Sequence, residues 1–185
     1  MIVDTCWGAR EISEKQYWHL VPNKGATAMI FYNNVKVGKG ALPSVSARIK
    51  AEPHIENAHT PYSFARLSDN KEAIFESVRK NKFPTNPSRL KSIYLFDNYN
   101  LVERALTEWF SNEPKTVLEC RVLTGSVVHK ADTNWLNCNP IDWEQYAEKY
   151  WAGTMSESSF PETIVDGTIY FPMYKSFPCP TTFLP

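Results

Sequence analysis

Residues 160–171 read Phe-Pro-Glu-Thr-Ile-Val-Asp-Gly-Thr-Ile-Tyr-Phe, and the interpretation of the rest of the chain starts from this stretch. β-Branched and aromatic residues fill most of its two halves, and the pair Asp166-Gly167 between them is typical of a two-residue hairpin turn. The pattern predicts a β-hairpin whose first strand starts at Glu162. A carboxylate in this position is either a solvated strand end or a catalytic group, and the other segments of the chain decide between the two.

Two upstream segments are predicted to be short, mostly apolar strands, with His19 at the centre of one and Tyr94 at the centre of the other. Residues 17–21 read Tyr-Trp-His-Leu-Val, and residues 92–96 read Ser-Ile-Tyr-Leu-Phe. Both runs have the composition of buried strands. His19, Tyr94 and Glu162 lie far apart in the sequence, so only tertiary folding brings them to one site.

Histidine, tyrosine and glutamate in this order resemble the three-part motif of the ADP-ribosyltransferase superfamily, which transfers ADP-ribose from NAD. Residues 87–92, 131–136 and 150–153 are similar to segments of a small bacterial branch of that superfamily. The resemblance spans residues 17–171. It implies an α+β fold in one domain, residues 1–171, with flanking helices around a split, bent β-sheet that holds NAD in its crevice. A Pro-rich tail, residues 172–185, follows.

The resemblance also implies roles for single residues. Glu162 is the expected catalytic carboxylate, because cleavage of the nicotinamide–ribose bond passes through an oxocarbenium-like state that a carboxylate stabilises. His19 is expected to hydrogen-bond a ribose hydroxyl, and Tyr94 to offer its ring to nicotinamide. These two residues, with Arg89 and Ser92 at the entry to the Tyr94 strand, form the predicted NAD-binding set. The alternative is that His19 and Tyr94 only pack in the core.

The acceptor of the ADP-ribose group is predicted from one position that differs from the superfamily motif and from a run of basic residues. Many superfamily members have Glu or Gln two residues before the catalytic glutamate, where this chain has Phe160. An aromatic ring at this position could stack on a base, and the basic run at residues 79–91, which includes Lys80 and Lys82, could contact phosphates. Together they suit a single-stranded nucleic acid, although a protein acceptor stays open. Small enzymes of this kind occur as bacterial toxins, so an antitoxin or another regulatory protein is a further expected partner.

Two other classes of function remain open on the sequence. One is a catalytically silent module that binds a nucleotide or RNA with the same residues. The other is an interaction protein that uses the Pro-rich tail as an extended docking segment. Release of nicotinamide from NAD separates the first from an enzyme.

Composition excludes several further classes. Twenty basic and twenty acidic residues cancel, so bulk charge recruits neither nucleic acid nor membrane. No apolar segment has the length that spans a bilayer, and no signal peptide is visible, so a cytoplasmic protein is expected. The cysteines are scattered with no metal-binding spacing, so no metal and no disulfide is predicted. NAD is expected only as a co-substrate.

Local patterns predict the remaining elements. Residues 29–32 are apolar and suit a short strand, and residues 117–129 suit a second hairpin. Asp69 with Glu72 three residues later forms a capping-box-like start, which predicts a helix that ends before Pro84. Another helix is predicted over residues 100–111. Aromatic residues recur at helical spacing in residues 143–151, which predicts a helix with a core-facing stripe and a C-terminal stop at Gly153.

Overall fold

The computed structural model describes residues 1–178. These residues form eight strands: β1 (Ile2–Thr5), β2 (Gly8–Pro22), β3 (Ala41–Pro43), β4 (Ile93–Leu95), β5 (Lys115–Leu123), β6 (Val127–Asp132), β7 (Pro161–Asp166) and β8 (Thr168–Tyr170). They also form six α-helices: α1 (Gly25–Val37), α2 (Val45–Ala51), α3 (Pro61–Ala65), α4 (Asn70–Lys82), α5 (Tyr99–Glu108) and α6 (Trp143–Trp151). The α+β class is therefore confirmed.

The chain folds into two compact units, and neither is a continuous segment. Among the described residues, the first combines Met1–Pro43 and Leu95–Ser126 with residues 168–178, and the second combines Ser44–Tyr94 with Val127–Gly167. Because each unit is assembled from separated stretches, the chain does not divide into two successive domains. The predicted boundary at residue 171 stays a prediction.

The first unit contains a five-stranded sheet in the order β1-β2-β5-β8-β3. The long strand β2 pairs antiparallel with β5, and its register shifts between Ile12 and Gln16. Ile12, Tyr17 and Val21 of β2 are buried. Their spacing changes at the irregularity, because an extra residue in a strand reverses the face on which the following side chains lie.

The second unit contains a three-stranded sheet in the order β4-β7-β6, with β6 and β7 antiparallel. Its core joins α4 and α6 to this sheet, and the buried members are Phe75, Val78, Ala131, Ala147, Tyr150, Trp151 and Ile164. The indole nitrogen of Trp151 donates a hydrogen bond to the carbonyl of Phe75 at 2.7 Å, which fixes the end of α6 on α4.

The helix predictions based on capping and periodicity are confirmed. The carboxylate of Asp69 accepts hydrogen bonds from the backbone amides of Lys71 and Glu72 at the start of α4. Helix α6 covers residues 143–151 as predicted, and Gly153 follows it with a φ of +71°. This left-handed conformation suits glycine, which explains why the helix ends there.

The predicted strand at residues 29–32 is wrong, because this segment lies inside α1. Four apolar residues have the same local preference in a short strand and in a buried helix turn, and only neighbouring contacts separate the two. Ala28, Tyr32 and Val35 are buried, at spacings of four and three that match one face of a helix.

Both predicted hairpins are wrong, although the chain does turn at the predicted places. Strand β7 pairs with β6 and belongs to the three-stranded sheet, whereas β8 pairs with β5 and β3 in the five-stranded sheet. Strand β5 likewise pairs with β2 and β8, and not with β6. The carboxylate of Asp166 accepts hydrogen bonds from Ser44, Ser46 and Lys50 around the start of α2. These long-range contacts replace the hairpin that the local signal predicts.

The predicted C-terminal tail is described only up to Pro178. A short 3-10 helix covers Tyr174–Ser176, and the ring of Phe177 is buried against Tyr32 and Phe171. This part of the predicted tail thus packs on the first unit. Residues 179–185 lie outside the described residues. None of the helices in residues 1–178 has the length and apolar character that crossing a membrane requires.

Candidate functional site

Arg89 lies at the centre of the second unit, on the loop between α4 and β4. Neighbouring side chains hold this loop on α4 and α6. Ser88 donates to Glu76 of α4 at 3.0 Å, and Asn86 donates to the carbonyl of Trp151 at the end of α6 at 2.8 Å. The Arg89 side chain is only 4% exposed, so its charge needs partners inside the protein.

Two tyrosine–glutamate pairs supply these partners. In the first pair, Arg89 Nη2 donates to the hydroxyl of Tyr62 at 2.7 Å, and Nε donates to Glu72 Oε2 at 3.4 Å. In the second pair, Nη1 donates both to the hydroxyl of Tyr150, at 2.7 Å, and to Glu162 Oε1. Each tyrosine hydroxyl in turn donates a hydrogen bond to the carboxylate of its own pair. We call these five side chains the Arg89 cluster.

The two carboxylates of the Arg89 cluster differ in whether one oxygen remains without a hydrogen-bond donor and is available to a ligand. Glu72 uses both oxygens, Oε1 with Tyr62 and Oε2 with Arg89. Glu162 uses Oε1 for both of its partners, and Tyr150 donates to that atom at 2.6 Å. No residue in 1–178 donates a hydrogen bond to Glu162 Oε2. The carboxylate of Glu162 is therefore fixed through one oxygen, Oε1, while Oε2 accepts no hydrogen bond from residues 1–178.

The tyrosines of the cluster act as neutral donors. Burial raises the pKa of Tyr62 to about 12, although the charge of Arg89 opposes this shift. Burial also raises the pKa of Tyr150 well above its ordinary value of 10.0, with Arg89 again opposing. Each hydroxyl consequently keeps its proton at neutral pH and can hydrogen-bond a carboxylate as a donor.

A second carboxylate fixes the loop that leads to Glu162. Asp132, at the end of β6, accepts hydrogen bonds from the amides of Asn134, Ser156 and Phe160 and from the Ser156 hydroxyl. Burial opposes ionisation of Asp132, but these four donors hold its pKa below the ordinary value of 3.8. The carbonyl of Phe160 also accepts from Thr133, at 2.6 Å. The backbone just before Glu162 is thus clamped to the end of β6.

The predicted acceptor residues differ in how they are placed. Phe160 is only 2% exposed, so a base could stack on its ring only after the ring was uncovered. Lys82 is exposed and forms an ion pair with Glu148, and Lys80 is exposed. Arg79, in the same basic run, is paired with Glu76. Of the predicted acceptor set, the two lysines are the side chains at the surface.

The predicted NAD-binding residues are likewise divided. Tyr94 belongs to β4, which neighbours the Glu162 strand, and its hydroxyl donates to the Arg89 carbonyl at 2.7 Å. The Arg89 guanidinium lies 5.5 Å from the centre of the Tyr94 ring. Ser92 is 3% exposed, and its hydroxyl has no hydrogen-bond partner among residues 1–178. Because the guanidinium of Arg89 is engaged by the cluster, a role on the pyrophosphate of NAD would require those hydrogen bonds to break.

His19 lies in the first unit, half-buried on β2. Its ring stacks on Phe31 at a centroid distance of 5.5 Å and lies 6.2 Å from the Phe171 ring. The next residue back, Trp18, forms an isolated β-bridge with Phe96, which directly follows β4. The histidine therefore lies in an aromatic environment formed by Phe31 and Phe171, which agrees with the alternative that His19 only packs.

Sequence reasoning does not assign three of the residues around Glu162 to the site. Tyr150 is part of the aromatic stripe of α6, and that stripe is in the core as predicted, but the hydroxyl role has no sequence signal. The sequence predicts Glu72 only in a helix cap, and its side chain instead points to Arg89 and Tyr62. His129 of β6 has no predicted role either. It contacts the Tyr150 carbonyl through Nε2 at 3.1 Å, and burial lowers the pKa of its imidazole.

Each unit contains a cavity that is lined by residues within 1–178. The cavity in the second unit has a volume of about 160 Å³, and Glu72 forms part of its wall with His59, Arg66 and Lys91. Pockets for drug-sized ligands usually have about 300–1,000 Å³, so this one admits a small group and not a dinucleotide. The cavity in the first unit, about 480 Å³, is lined by residues such as Tyr32 and Leu118 and by none of the predicted site residues. Within residues 1–178, no three His, Cys, Asp or Glu side chains come together as a metal-binding group.

Two comparisons with known proteins bear on this chain. No curated protein matches this sequence. The model of a family described as "Protein of unknown function (DUF2441)" matches residues 46–173, well over half of the chain. All five side chains of the Arg89 cluster lie inside the matched stretch, together with Ser92 and Tyr94, whereas His19 lies outside it. The chain belongs to the DUF2441 family.

Proposed function

We propose that the protein is an NAD-dependent ADP-ribosyltransferase in which Glu162 is the catalytic carboxylate. One observation carries the proposal: Glu162 is held through Oε1 by Arg89 and Tyr150, and Oε2 has no donor among residues 1–178. A carboxylate that only filled the core would be expected to satisfy both oxygens, as Glu72 does. The resemblance of the His19, Tyr94 and Glu162 segments to the superfamily motif supplies the reaction class.

In the proposed reaction, the bond between C1′ of the ribose and the nicotinamide nitrogen breaks. That nitrogen takes the bonding electron pair and leaves as neutral nicotinamide. The ribose becomes oxocarbenium-like, and Glu162 Oε2 stabilises it by accepting a hydrogen bond from a ribose hydroxyl. The nucleophile of the acceptor then bonds to C1′, and its proton passes to water. Arg89 and Tyr150 hold Glu162 in place throughout, because both donate hydrogen bonds to its Oε1.

Neighbouring strands support this assignment. The Tyr94 strand lies beside the Glu162 strand in the three-stranded sheet of the second unit. A buried hydroxyl without a partner is uncommon in proteins, so the Ser92 hydroxyl, one residue before β4, is a reasonable contact for a substrate. In this proposal the ring of Tyr94 contacts nicotinamide and His19 a ribose hydroxyl. The 160 Å³ cavity does not hold the dinucleotide.

The acceptor in this proposal is a nucleic acid or a protein. The surface lysines Lys80 and Lys82 support phosphate contacts, whereas the buried ring of Phe160 gives no support to base stacking. A role as a toxin that is held by an antitoxin, in the cytoplasm, is part of the proposal through the family resemblance only.

The test is release of nicotinamide from NAD by the purified protein. Glu162→Gln should lower the rate by roughly 100- to 1,000-fold, the usual effect of removing one electrostatic group of this kind. Gln keeps the volume, and its carbonyl oxygen can still accept from Arg89 and Tyr150, so NAD binding and the fold should persist. Glu157→Gln is the matched control, because Glu157 is exposed in the loop just before β7. Equal rates for the two variants would refute the catalytic assignment.

A second candidate is a catalytically silent nucleotide-binding module. It is favoured by the ion pair itself, because Arg89 already neutralises Glu162, and the Glu162 side chain is only 9% exposed. Under this interpretation, NAD or another nucleotide binds but nicotinamide is not released, and Glu162→Gln changes stability only. Binding of NAD by isothermal titration calorimetry, without turnover of NAD by the wild-type protein, would favour the silent module.

A further inference from the structure

Tyr150 is buried in the core of the second unit, yet its hydroxyl lies at the centre of the Arg89 cluster. The ring packs edge-on against Phe75 and Trp151, with centroid distances of 5.9 Å and 4.9 Å. The hydroxyl accepts from Arg89 Nη1 at 2.7 Å and donates to Glu162 Oε1 at 2.6 Å. One side chain therefore connects the packed core of α6 with the carboxylate of β7.

The rotation of the Glu162 carboxylate is set by these hydrogen bonds. Both donors, the Tyr150 hydroxyl and Arg89 Nη1, are buried and bind the same oxygen. An arginine alone would also allow a two-pronged contact with both carboxylate oxygens, the geometry that guanidinium–carboxylate pairs often adopt. The second donor on Oε1 therefore favours the arrangement in which Oε2 is left over.

The position of Tyr150 is itself fixed from two sides. Its backbone carbonyl contacts His129 Nε2 at 3.1 Å, and its ring is held between the helices α4 and α6. A side chain on a packed helix places a hydrogen bond more reproducibly than a loop residue does. Tyr150 has the rigidity that a positioning group needs.

We propose that Tyr150 is a positioning residue for Glu162, which fixes Oε1 so that Oε2 is the oxygen presented to the ribose of NAD. The inference rests on the proposed transferase function and adds a residue to its site. Tyr150 does not touch the substrate in this account. Its removal should therefore affect the rate of the chemical step more than the affinity for NAD.

Tyr150→Phe is the direct test, because it removes the hydroxyl and keeps the ring in the core. We expect kcat for nicotinamide release to fall roughly 10- to 100-fold, because a small misplacement of a reacting group lowers the rate by up to about this factor. The KM for NAD should change by less than about 3-fold, because ground-state binding is kept. Tyr146→Phe is the matched control on the same helix. Tyr146 is half-buried against Trp135, and no residue in 1–178 hydrogen-bonds its hydroxyl.

An independent measurement covers the case in which Tyr150→Phe does not fold. The Tyr150 hydroxyl proton should be protected from exchange and visible by NMR in the wild-type protein, and its resonance should shift in Glu162→Gln. A hydroxyl proton that exchanges freely, or that is insensitive to Glu162→Gln, would overturn the inference.

The two proposals fail in different ways. If the wild-type protein releases no nicotinamide, the transferase function is refuted, and the positioning role falls with it. If the wild-type protein is active, Glu162→Gln is inactive and Tyr150→Phe has full kcat, the function stands and the positioning role is refuted. A kcat loss of equal size in Tyr150→Phe and Tyr146→Phe would also overturn it, because the effect would not belong to the hydroxyl of Tyr150.

Discussion

Arg89 brings together residues from four separate stretches of the chain, and its burial makes these partners necessary. A buried guanidinium loses its hydration, and only good hydrogen bonds and opposite charges offset that cost. Glu72 and Glu162 supply the charge, while Tyr62 and Tyr150 supply hydroxyl oxygens. The Arg89 cluster therefore stabilises the fold only when all of its members are present, because the loss of one leaves a buried charge without its partner.

Removal of the guanidinium should destabilise the protein strongly. Arg89→Met keeps most of the volume but leaves two buried carboxylates without their cation, so we expect a loss of about 3–5 kcal/mol in the free energy of unfolding. Arg104→Met is the matched control, because Arg104 pairs with Glu108 at the surface of α5, and such pairs contribute about 0.3–0.5 kcal/mol. Urea unfolding monitored by tryptophan fluorescence measures both. Similar midpoints for the two variants would contradict the description of the cluster.

Tyrosine ionisation offers a second test of the same residues. Burial raises the pKa of Tyr62 to about 12 and raises the pKa values of Tyr94 and Tyr150 well above 10.0, so these three side chains should not ionise with the ordinary phenols near pH 10. An ultraviolet titration should show Tyr62, Tyr94 and Tyr150 ionising late. Above pH 10 the unfolded chain has lost protons that the folded protein still holds, so stability should fall as the pH rises. Ionisation of all nine tyrosines in one step, without unfolding, would contradict the buried cluster.

At this scale the sequence predicts part of the site. Glu162 stands out because a carboxylate at the start of an apolar strand is unusual, and Ser92 is placed correctly at the entry to β4. The spacing identifies Tyr150 as a core ring, but helical spacing reports the buried face and says nothing about where a hydroxyl points. Tyr62 is separated from its partners Glu72 and Arg89 by turns and a helix, so no local pattern connects them.

At the scale of the elements, helices are predicted better than strand pairing. Helix α4 carries its own start signal in Asp69, and α6 carries both its periodicity and its stop at Gly153, so local physics determines both. A strand's partner depends on distant segments, and the signal at Asp166-Gly167 indicates a turn without saying which strands pair. The side chain of Asp166 is used to anchor α2, a contact across more than a hundred residues.

Asp132 connects β6 with the loop before β7, and its substitution should loosen that connection. Asp132→Asn places an amide group against four donors, so at least one hydrogen bond to a charged acceptor is removed. We expect a destabilisation of about 1.5–3 kcal/mol. Asp4→Asn is the control, because Asp4 forms an exposed pair with Lys39.

The stability that Asp132 contributes should depend on pH. The pKa of Asp132 is lower in the folded protein than the ordinary value of 3.8, so its stabilising effect is complete above that pH and is lost as the pH falls further. The stability difference between wild-type protein and Asp132→Asn should therefore shrink in acid. A difference that stays constant from neutral pH to below pH 3.8 would assign the effect to packing.

At the scale of the whole molecule, charge limits how an acceptor can be recruited. The chain carries no net charge, so long-range attraction of a nucleic acid by the protein as a whole is weak. Within the basic run at residues 79–91, Arg79 and Arg89 are taken up by internal ion pairs. Any phosphate contact of this run depends on its surface lysines, of which Lys82 must leave Glu148 to bind.

A nucleic-acid acceptor would be bound through these surface lysines, and this gives a testable prediction. Labelled NAD incubated with a cell lysate and the protein should give a product whose label is removed by nuclease and not by protease. With a single-stranded RNA as purified acceptor, Lys80→Glu should weaken binding at low salt and reduce the slope of log affinity against log salt by about 0.7 for each phosphate that is no longer neutralised. Lys24→Glu, an exposed lysine outside the run, should leave the slope unchanged. Label that survives nuclease and disappears with protease would refute the nucleic-acid acceptor and leave the transferase proposal intact, because the role of Glu162 does not depend on which nucleophile receives the ADP-ribose.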